Sequence, residues 1–306
     1  MFRCEAWWLR KRQQVMELLC LDFEWLARAT GGEIMNSDHS PKAGQVFALR
    51  ADEDSLSLPV LSSVHSYGDE KICITDHRGF STPRGRNPEE LVLDASEGFI
   101  PLWAEGVNLR WRFNEHAVSF FQHPNAVKRT VRKLLSEALL AWGAAAPVKF
   151  SERSDTWDFE VVVRHADDCS EHGCVLARAF FPDSGRHHLE LYPVMFSLSR
   201  QEQINTLTHE TGHIFGLRHF FAQISEKAWP SEIFGHHNPF SIMNYGEKSQ
   251  LTREDVDDLK KLYELAWGGQ LPHINGTPVV LVTPYHHLGR YHESWEGRVA
   301  ARVSAS

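Results

Sequence analysis

A short stretch of histidines and one carboxylate constrains this 306-residue chain more than any other feature. It runs from His209 to His219 and reads HETGHIFGLRH. On a helix, residues four apart lie on one face, so His209 and His213 can present ring nitrogens to one ion. Gly216 can adopt positive φ at little steric cost, so the chain can turn sharply and return His219 to that ion. The spacing therefore predicts three imidazole ligands around a single metal.

The residue after the first histidine has a different predicted role. Glu210 is rotated about 100° from His209 around the helix, which puts its carboxylate beside the metal and not on it. That position suits a general base. Zinc with three protein ligands keeps one coordination position open, where a water is acidified towards neutral pH. The pattern predicts one catalytic Zn²⁺ held by His209, His213 and His219, with Glu210 as the base.

The sequence independently marks this segment as a helix. Ser199 and Glu202 form an S-x-x-E capping box, which is typical of a helix N-terminus. Leu207 and Ile214 supply an apolar stripe that faces inward. The predicted helix begins after Ser199 and ends near Gly216.

Other elements of both kinds are predicted around it. Residues 109–113 alternate apolar and basic side chains, the pattern of a half-buried strand. Residues 124–142 repeat apolar positions every three and four residues, which predicts a helix. A last helix begins at Thr252 and ends before Gly268. Short strands are predicted at residues 148–150, 159–163, 175–181 and 189–192.

Composition excludes two classes of partner. The formal charge of −8 gives no general attraction to phosphate backbones, so no nucleic-acid binding is predicted. No apolar run reaches the roughly 18 residues of a membrane span.

Residues 1–30 read as an amphipathic helix whose charged residues interrupt any signal-peptide core. That pattern predicts no signal peptide and a cytoplasmic protein.

The five cysteines are too few and too scattered to form a disulfide scaffold. Only Cys169 and Cys174 are close in sequence. A loop of this length can close through a disulfide, but nothing in the sequence indicates an oxidising compartment. The sequence leaves this disulfide open.

The extended histidine motif resembles that of the metzincin metalloproteases. The segment SIMNY at residues 241–245 is similar to the Met-turn of that family. The resemblance implies that Met243 forms a hydrophobic floor beneath the zinc-binding histidines. It also implies a catalytic role for Tyr245, whose hydroxyl would ligate the resting metal and then bind the oxyanion.

Residues 106–267 resemble the matrixin branch of the metzincins. The resemblance implies an α+β, zincin-like catalytic domain with a twisted mixed sheet, a zinc-binding active-site helix and a C-terminal helix. Residues 176–182 resemble the family's edge strand, which implies a protein or peptide substrate bound extended along it. Residues 1–105 are an N-terminal region of unknown role, either a pro-region or an accessory subdomain. Residues 268–306 form a C-terminal extension.

Two features of the matrixin pattern are missing. Arg178 stands where the family carries a histidine for a second, structural zinc, although His165, Asp167 and His188 lie near the other expected positions. This second zinc is therefore left out of the prediction. The inhibitory propeptide cysteine is also missing, because residues 83–85 read PRG without a thiol. The resemblance implies a secreted protein, so the compartment stays open, as does the oligomeric state.

These features predict a zinc-dependent endopeptidase that hydrolyses peptide bonds with a zinc-activated water and Glu210 as general base. Two alternatives stay open. One is a zinc-binding module that recognises peptides without turnover, and the other is a metal-dependent hydrolase of non-peptide amides. Glu210 argues against the first, because a pure binding module does not require that carboxylate.

Overall fold

A computed structural model describes residues 45–50, 65–67, 71–73, 91–94, 98–170, 173–219, 231–234, 241–244 and 249–287. All of them belong to one compact unit, Pro41–Ser306. The predicted helix at residues 1–30 and the predicted catalytic Tyr245 lie outside the described residues.

Short strands and five α-helices follow one another along the described residues. The strands are β1 (His65–Tyr67), β2 (Lys71–Cys73), β3 (Leu91–Asp94), β4 (Ile100–Trp103), β5 (Asn108–Phe113), β6 (Lys149–Glu152), β7 (Phe159–Val163), β8 (Cys169–Ser170), β9 (Gly173–Arg178), β10 (His187–Leu191), β11 (Ser231–Phe234), β12 (His273–Ile274) and β13 (Thr277–Val282). The helices are α1 (Glu115–Ser119), α2 (Pro124–Trp142), α3 (Pro193–Phe196), α4 (Arg200–Ile214) and α5 (Arg253–Trp267).

The largest sheet has the strand order β1-β2-β9-β10-β7-β5-β6, with β8 paired to β9. Strands β10, β7, β5 and β6 run parallel to one another. Strand β9 is antiparallel to β10. The predicted α+β fold with a mixed sheet is therefore confirmed.

Local sequence patterns placed several of these elements correctly. In β5, Leu109, Trp111 and Phe113 are buried while the residues between them are half-buried. This is the alternation that the sequence predicts for a strand with one face on the core. Helix α2 spans Pro124–Trp142, with proline in its first turn, as predicted.

Helix α4 lies deep in the core. All nine residues from Thr206 to Ile214 are buried. Helix α2 packs beside it, and Trp142 Nε1 donates hydrogen bonds of 3.0 Å to Thr208 O and to Thr211 Oγ1. Sheet, α2, α4 and α5 contribute side chains to one apolar cluster. The helix that carries the histidines is thus enclosed on several sides by rigid elements.

The prediction that residues 176–182 form an edge strand is wrong. Strand β9 spans Gly173–Arg178 and has a partner on each side. One partner is β10, and the other is β2, which runs parallel to β9 with Ile72 opposite Val175. The sequence could not reveal this, because a strand's edge position depends on which distant segment pairs with it.

The core extends beyond residues 106–267 at both ends. Ile100 and Leu102 of β4 are fully buried within the main apolar cluster. Strand β13 pairs parallel with β4, with Val279 opposite Ile100. A division of the chain at residue 106 would therefore remove a core strand. The division into three parts stays a prediction.

Two further observations concern compartment and membrane. Cys169 and Cys174 are joined by a disulfide that links β8 to β9, which resolves the pairing that the sequence left open. None of the helices in the described ranges combines the length and the apolar character needed to cross a bilayer.

Candidate metal centre

Three histidines converge on one point. The Nε2 atoms of His209 and His219 are 3.0 Å apart, and His213 Nε2 lies 3.1 Å from each of them. All three side chains are at most 1% exposed. Within the described residues this is the one group of three or more His, Cys, Asp and Glu side chains that could hold a metal ion. The structure thus brings together the three predicted ligands.

The chemistry of these donors fits zinc. His209 Nδ1 lies 2.7 Å from Ile242 O, and His213 Nδ1 lies 2.7 Å from Leu217 O. A carbonyl oxygen only accepts, so each Nδ1 carries the proton and each Nε2 presents a lone pair. Two nitrogens bound to one tetrahedral zinc at 2.0–2.1 Å would be about 3.3 Å apart, close to the observed spacing.

The turn after α4 brings the third histidine back. Gly216 has a φ of +95°, in the region that favours glycine. Leu217 N donates to Gly212 O at 3.0 Å, which closes the turn. A Cβ at Gly216 would lie 3.3 Å from both Leu102 and the Pro101 carbonyl. The positive φ therefore favours glycine here, as the motif predicts, and the space around it is tight for a Cβ.

Two aromatic side chains hold this turn from outside, and sequence reasoning missed both. Trp103 Nε1 donates to Ile214 O at 2.7 Å. The Tyr263 hydroxyl donates to Phe215 O at 3.0 Å. Burial raises the pKa of Tyr263 above its ordinary value, so the hydroxyl keeps the proton it donates. Trp103 lies 111 residues before Ile214, and no local pattern links such distant positions.

The Met-turn packs against the middle of the histidine motif. Met243 is buried, and its sulfur would lie 2.5 Å from a Cβ added to Gly212. Trp142 closes the same space at 3.4 Å. The thioether therefore lies directly against α4 at Gly212, between His209 and His213 in sequence. The role of Met243 as a hydrophobic floor beneath the histidines stays a prediction.

Replacing Gly212 by alanine should destabilise the protein. Alanine normally stabilises a helix interior relative to glycine by roughly 1 kcal/mol. Here the added methyl would overlap the enclosed Met243 sulfur, and overpacking of this kind costs about 1–3 kcal/mol. Urea denaturation should show a lower free energy of unfolding. The double variant Gly212→Ala/Met243→Val should recover part of the loss, whereas stabilisation by Gly212→Ala alone would contradict the contact.

The two predicted catalytic residues differ in what the structure says of them. Glu210 lies in α4 directly after His209 and is 1% exposed. Its role as general base stays a prediction. Tyr245 lies outside the described residues, and its role also stays a prediction.

Comparison with known proteins identifies the family. The matrixin family model matches residues 103–264, more than half of the chain. This chain belongs to the matrixin family. The match begins at Trp103, the last residue of β4, and includes the whole histidine motif and most of α5.

Curated matrixins with similar sequences are longer than the matched region. Metalloendoproteinase 1-MMP of Arabidopsis thaliana is 30% identical over 148 residues, which cover 44% of this chain and 38% of that protein. Stromelysin-3 of Rattus norvegicus is 28% identical over 145 residues, covering 44% and 29%. Metalloendoproteinase 2-MMP of Arabidopsis thaliana is 26% identical over 206 residues, covering 61% and 50%. The matched region thus covers at most half of these relatives.

A solved structure also resembles this matrixin. The crystal structure of myroilysin aligns with 68% of this chain and 99% of its own at 15% identity and a TM-score of 0.39. A second myroilysin structure gives a TM-score of 0.37. At these scores the likeness adds nothing to the family assignment.

In this matrixin an ion-pair cluster surrounds Arg178, the residue at the position where the family pattern has a histidine for a second zinc. Arg178 lies 3.7 Å from Asp168 and 3.8 Å from Glu190. Glu190 also pairs with Arg164 at 2.7 Å and accepts a hydrogen bond from Tyr192 at 2.9 Å. Burial alone would raise the pKa of Glu190, but these partners outweigh it and hold that pKa below its ordinary value.

The side chains near the other expected ligand positions of that zinc contact different groups. Asp167 Oδ1 accepts a hydrogen bond from Val194 N at 2.7 Å. The ring of His165 packs on Phe120, and His188 Nε2 lies 3.7 Å from a Glu160 oxygen. Each of these three side chains thus contacts another group of the protein, and no chemistry is assigned to a metal there.

Proposed function

We propose that this matrixin is a zinc-dependent endopeptidase whose active site is built on α4 and the turn after it. The observation that carries the proposal is the buried triad of His209, His213 and His219 with Glu210 adjacent in the same helix. The named relatives are metalloendoproteinases, which supports the same class of reaction.

The three imidazoles would hold the ion, and the protein supplies the rest of the reaction. Zinc, when bound, supplies Lewis-acid chemistry that acidifies water and polarises a carbonyl oxygen. Glu210 takes the proton released by the attacking water and delivers it to the departing amine. The carbonyls of Ile242 and Leu217 keep two of the imidazoles in the tautomer that presents Nε2.

The substrate we propose is an extended peptide beside β9. Main-chain hydrogen bonding to a strand is a general way to hold a peptide in extended form. Such binding requires a free side of β9. Strand β2 occupies that side, with Lys71 opposite Cys174 and Ile72 opposite Val175. A peptide could use these positions only after β2 has left.

We propose, for this reason, that the segment carrying β1, β2 and β3 is a pro-region that keeps the enzyme latent. This segment pairs with two strands of the catalytic part, one that precedes α4 in the chain and one that follows it. Strand β2 lies on β9, which precedes α4, and β3 lies on β11, which falls between His219 and the Met-turn. Backbone pairing of this kind needs no inhibitory thiol.

An oxidising compartment is part of the same proposal. Disulfides persist in secreted and periplasmic proteins and are rare in the cytosol. The Cys169–Cys174 disulfide therefore favours secretion over a cytoplasmic location. If the protein is instead cytoplasmic, thiol titration of the protein purified from its natural location would find Cys169 and Cys174 as free thiols.

Cleavage of an unfolded protein tests the proposed activity. We expect the chain to cleave such a substrate, most strongly after the pro-region has been cut as described in the Discussion. A chelator should remove both the zinc and at least about 99% of the activity, and added Zn²⁺ should restore both, because the ion supplies the Lewis acid. Mass spectrometry of the products shows whether internal peptide bonds are broken.

The outcomes separate the proposal from its alternatives. Zinc binding without cleavage by the cut protein would favour a peptide-binding module. Hydrolysis of small amides without cleavage of peptides would favour a non-peptide hydrolase. Absence of zinc from a folded protein would overturn the metal site and the proposed function together.

A further inference from the structure

A short segment upstream of β1 is paired with the catalytic part of the chain. Residues 48–50 lie antiparallel to residues 120–122, which connect α1 to α2. Three hydrogen bonds join the two segments: Arg50 N to Phe120 O at 2.9 Å, Gln122 N to Ala48 O at 2.8 Å, and Gln122 Nε2 to Leu49 O at 2.8 Å. This is a third place, besides β2 and β3, where the N-terminal part of the chain contacts the catalytic part.

One aromatic side chain of the segment packs against two aromatic rings of the catalytic part. The ring of Phe47 stacks on that of Phe196, with centroids 3.8 Å apart and an interplanar angle of 17°. The ring of Phe121 meets Phe47 edge-on, with centroids 6.1 Å apart and an angle of 85°. Phe121 is 1% exposed, and Phe47 packs against the main apolar cluster. We call Phe121 and Phe196 together the Phe47 site.

The Phe47 site belongs to the matrixin region and is attached to the histidine helix. Phe121 and Phe196 lie within residues 103–264, which the family model matches, whereas Phe47 precedes them. Phe196 is the last residue of α3. Gln203 of α4 donates from its Nε2 to Phe196 O at 3.2 Å and to Leu198 O at 2.9 Å. One wall of the site is therefore fixed to the helix that carries His209 and His213.

The apolar contact of this segment is concentrated in one side chain. Leu49 lies two residues after Phe47 and is 37% exposed, although its backbone forms the bridge to Phe121. Large aromatic side chains that fill pockets contribute most of the binding free energy of an interface. Backbone positions on a strand accept any extended peptide, whereas the Phe47 site selects a large aromatic ring.

We infer that Phe47 is the anchor that keeps residues 1–97 bound to the catalytic part after the two have been cut apart. The inference rests on the pro-region proposed above. Contacts that share one chain reinforce each other, because the second forms at the effective concentration that the first one sets. Phe47 in its site thus returns β2 to β9 whenever β2 separates. The cut N-terminal part then acts as a dissociable inhibitor whose release rate depends on Phe47.

The test is the dissociation rate of residues 1–97 from residues 98–306. It uses the full chain with a protease recognition sequence between Glu97 and Gly98, and with Glu210→Gln to prevent self-cleavage. After the cut, the catalytic part is immobilised and the loss of the N-terminal part is followed by surface plasmon resonance. We expect the parent complex to survive the cut. Phe47→Ala should raise the dissociation rate at least about 10-fold, because truncation of an aromatic anchor acts mainly on dissociation.

The matched control is Leu49→Ala. It removes an exposed apolar side chain from the same segment and keeps the backbone bridge, so the rate should change less than about 3-fold. Phe196→Ala removes the other ring of the stack and should raise the rate as Phe47→Ala does. The double variant Phe47→Ala/Phe196→Ala should exceed either single variant by less than about 3-fold, because both remove one shared contact.

Two results would overturn the inference. One is a parent complex that falls apart as soon as the chain is cut. The other is an equal dissociation rate for the parent, Phe47→Ala and Leu49→Ala. If Phe47→Ala does not fold, Phe47→Leu, which keeps apolar bulk but loses the stacked ring, should raise the rate partly and carries the test.

Peptide cleavage by the cut protein with Glu210 intact separates this inference from the proposed function. We expect cleavage to rise as residues 1–97 dissociate, and to rise faster in Phe47→Ala. Dissociation that depends on Phe47 but brings no gain in cleavage would reject the inhibitory role of the pro-region and support the anchor.

Discussion

Glu210→Ala is expected to lower kcat for peptide cleavage by about 10³-fold or more while the protein keeps one zinc. General acid–base catalysis contributes 10²–10⁴-fold, and this residue is proposed to act first as base and then as acid. The three histidines would be untouched, so the metal should stay. Hydrolysis of a fluorogenic peptide gives kcat, and elemental analysis gives the zinc content.

Two control variants make this result specific. Glu202→Ala removes a carboxylate from the same helix, at its exposed N-terminal cap, and should cost about 1 kcal/mol of stability with little change in kcat. Glu210→Asp keeps a carboxylate but shortens its reach, so its activity should lie between those of the parent and the alanine variant. A Glu210→Ala protein that cleaves as fast as the parent would rule out the base role.

Releasing the pro-region is expected to raise kcat/KM at least about 10-fold. A recognition sequence for a site-specific protease would be inserted between Glu97 and Gly98. This junction lies before β4, so the cut leaves the core strand Ile100–Trp103 with the catalytic part. After the cut, β2 is no longer tethered to β9 and a peptide can compete for the same backbone positions. Rates before and after the cut measure the effect.

Two further measurements distinguish release from latency from other causes of a higher rate. The unmodified chain treated with the same protease controls for cutting elsewhere. Ile72→Pro in the uncut chain removes one backbone N–H from β2 and should activate the enzyme partly, because proline cannot donate within a strand. Equal activity in cut, uncut and Ile72→Pro proteins would reject the pro-region and leave the peptidase intact. Zinc-loaded protein that is inactive in every form would reject the peptidase.

The sequence alone predicted those elements whose signals lie within about twenty residues of each other. The capping box of α4 is a contact between Ser199 and Glu202, and it forms as predicted. The alternation in β5 and the apolar repeat in α2 also reflect neighbours along the chain. The histidine motif belongs to this class, because one helix and one glycine turn bring its ligands together.

Only the tertiary structure decided which distant groups hold those local elements in place. Trp103 on the turn after α4 and β2 on β9 each join segments that are more than 100 residues apart in sequence. Each depends on which hydrogen-bonding groups remain available once the sheet and helices have packed. A hydrogen bond between remote residues leaves no periodic pattern in either segment, since each partner satisfies its own local rules. The convergence of the three histidines was therefore predictable from the sequence, and the distant groups that pack around them were not.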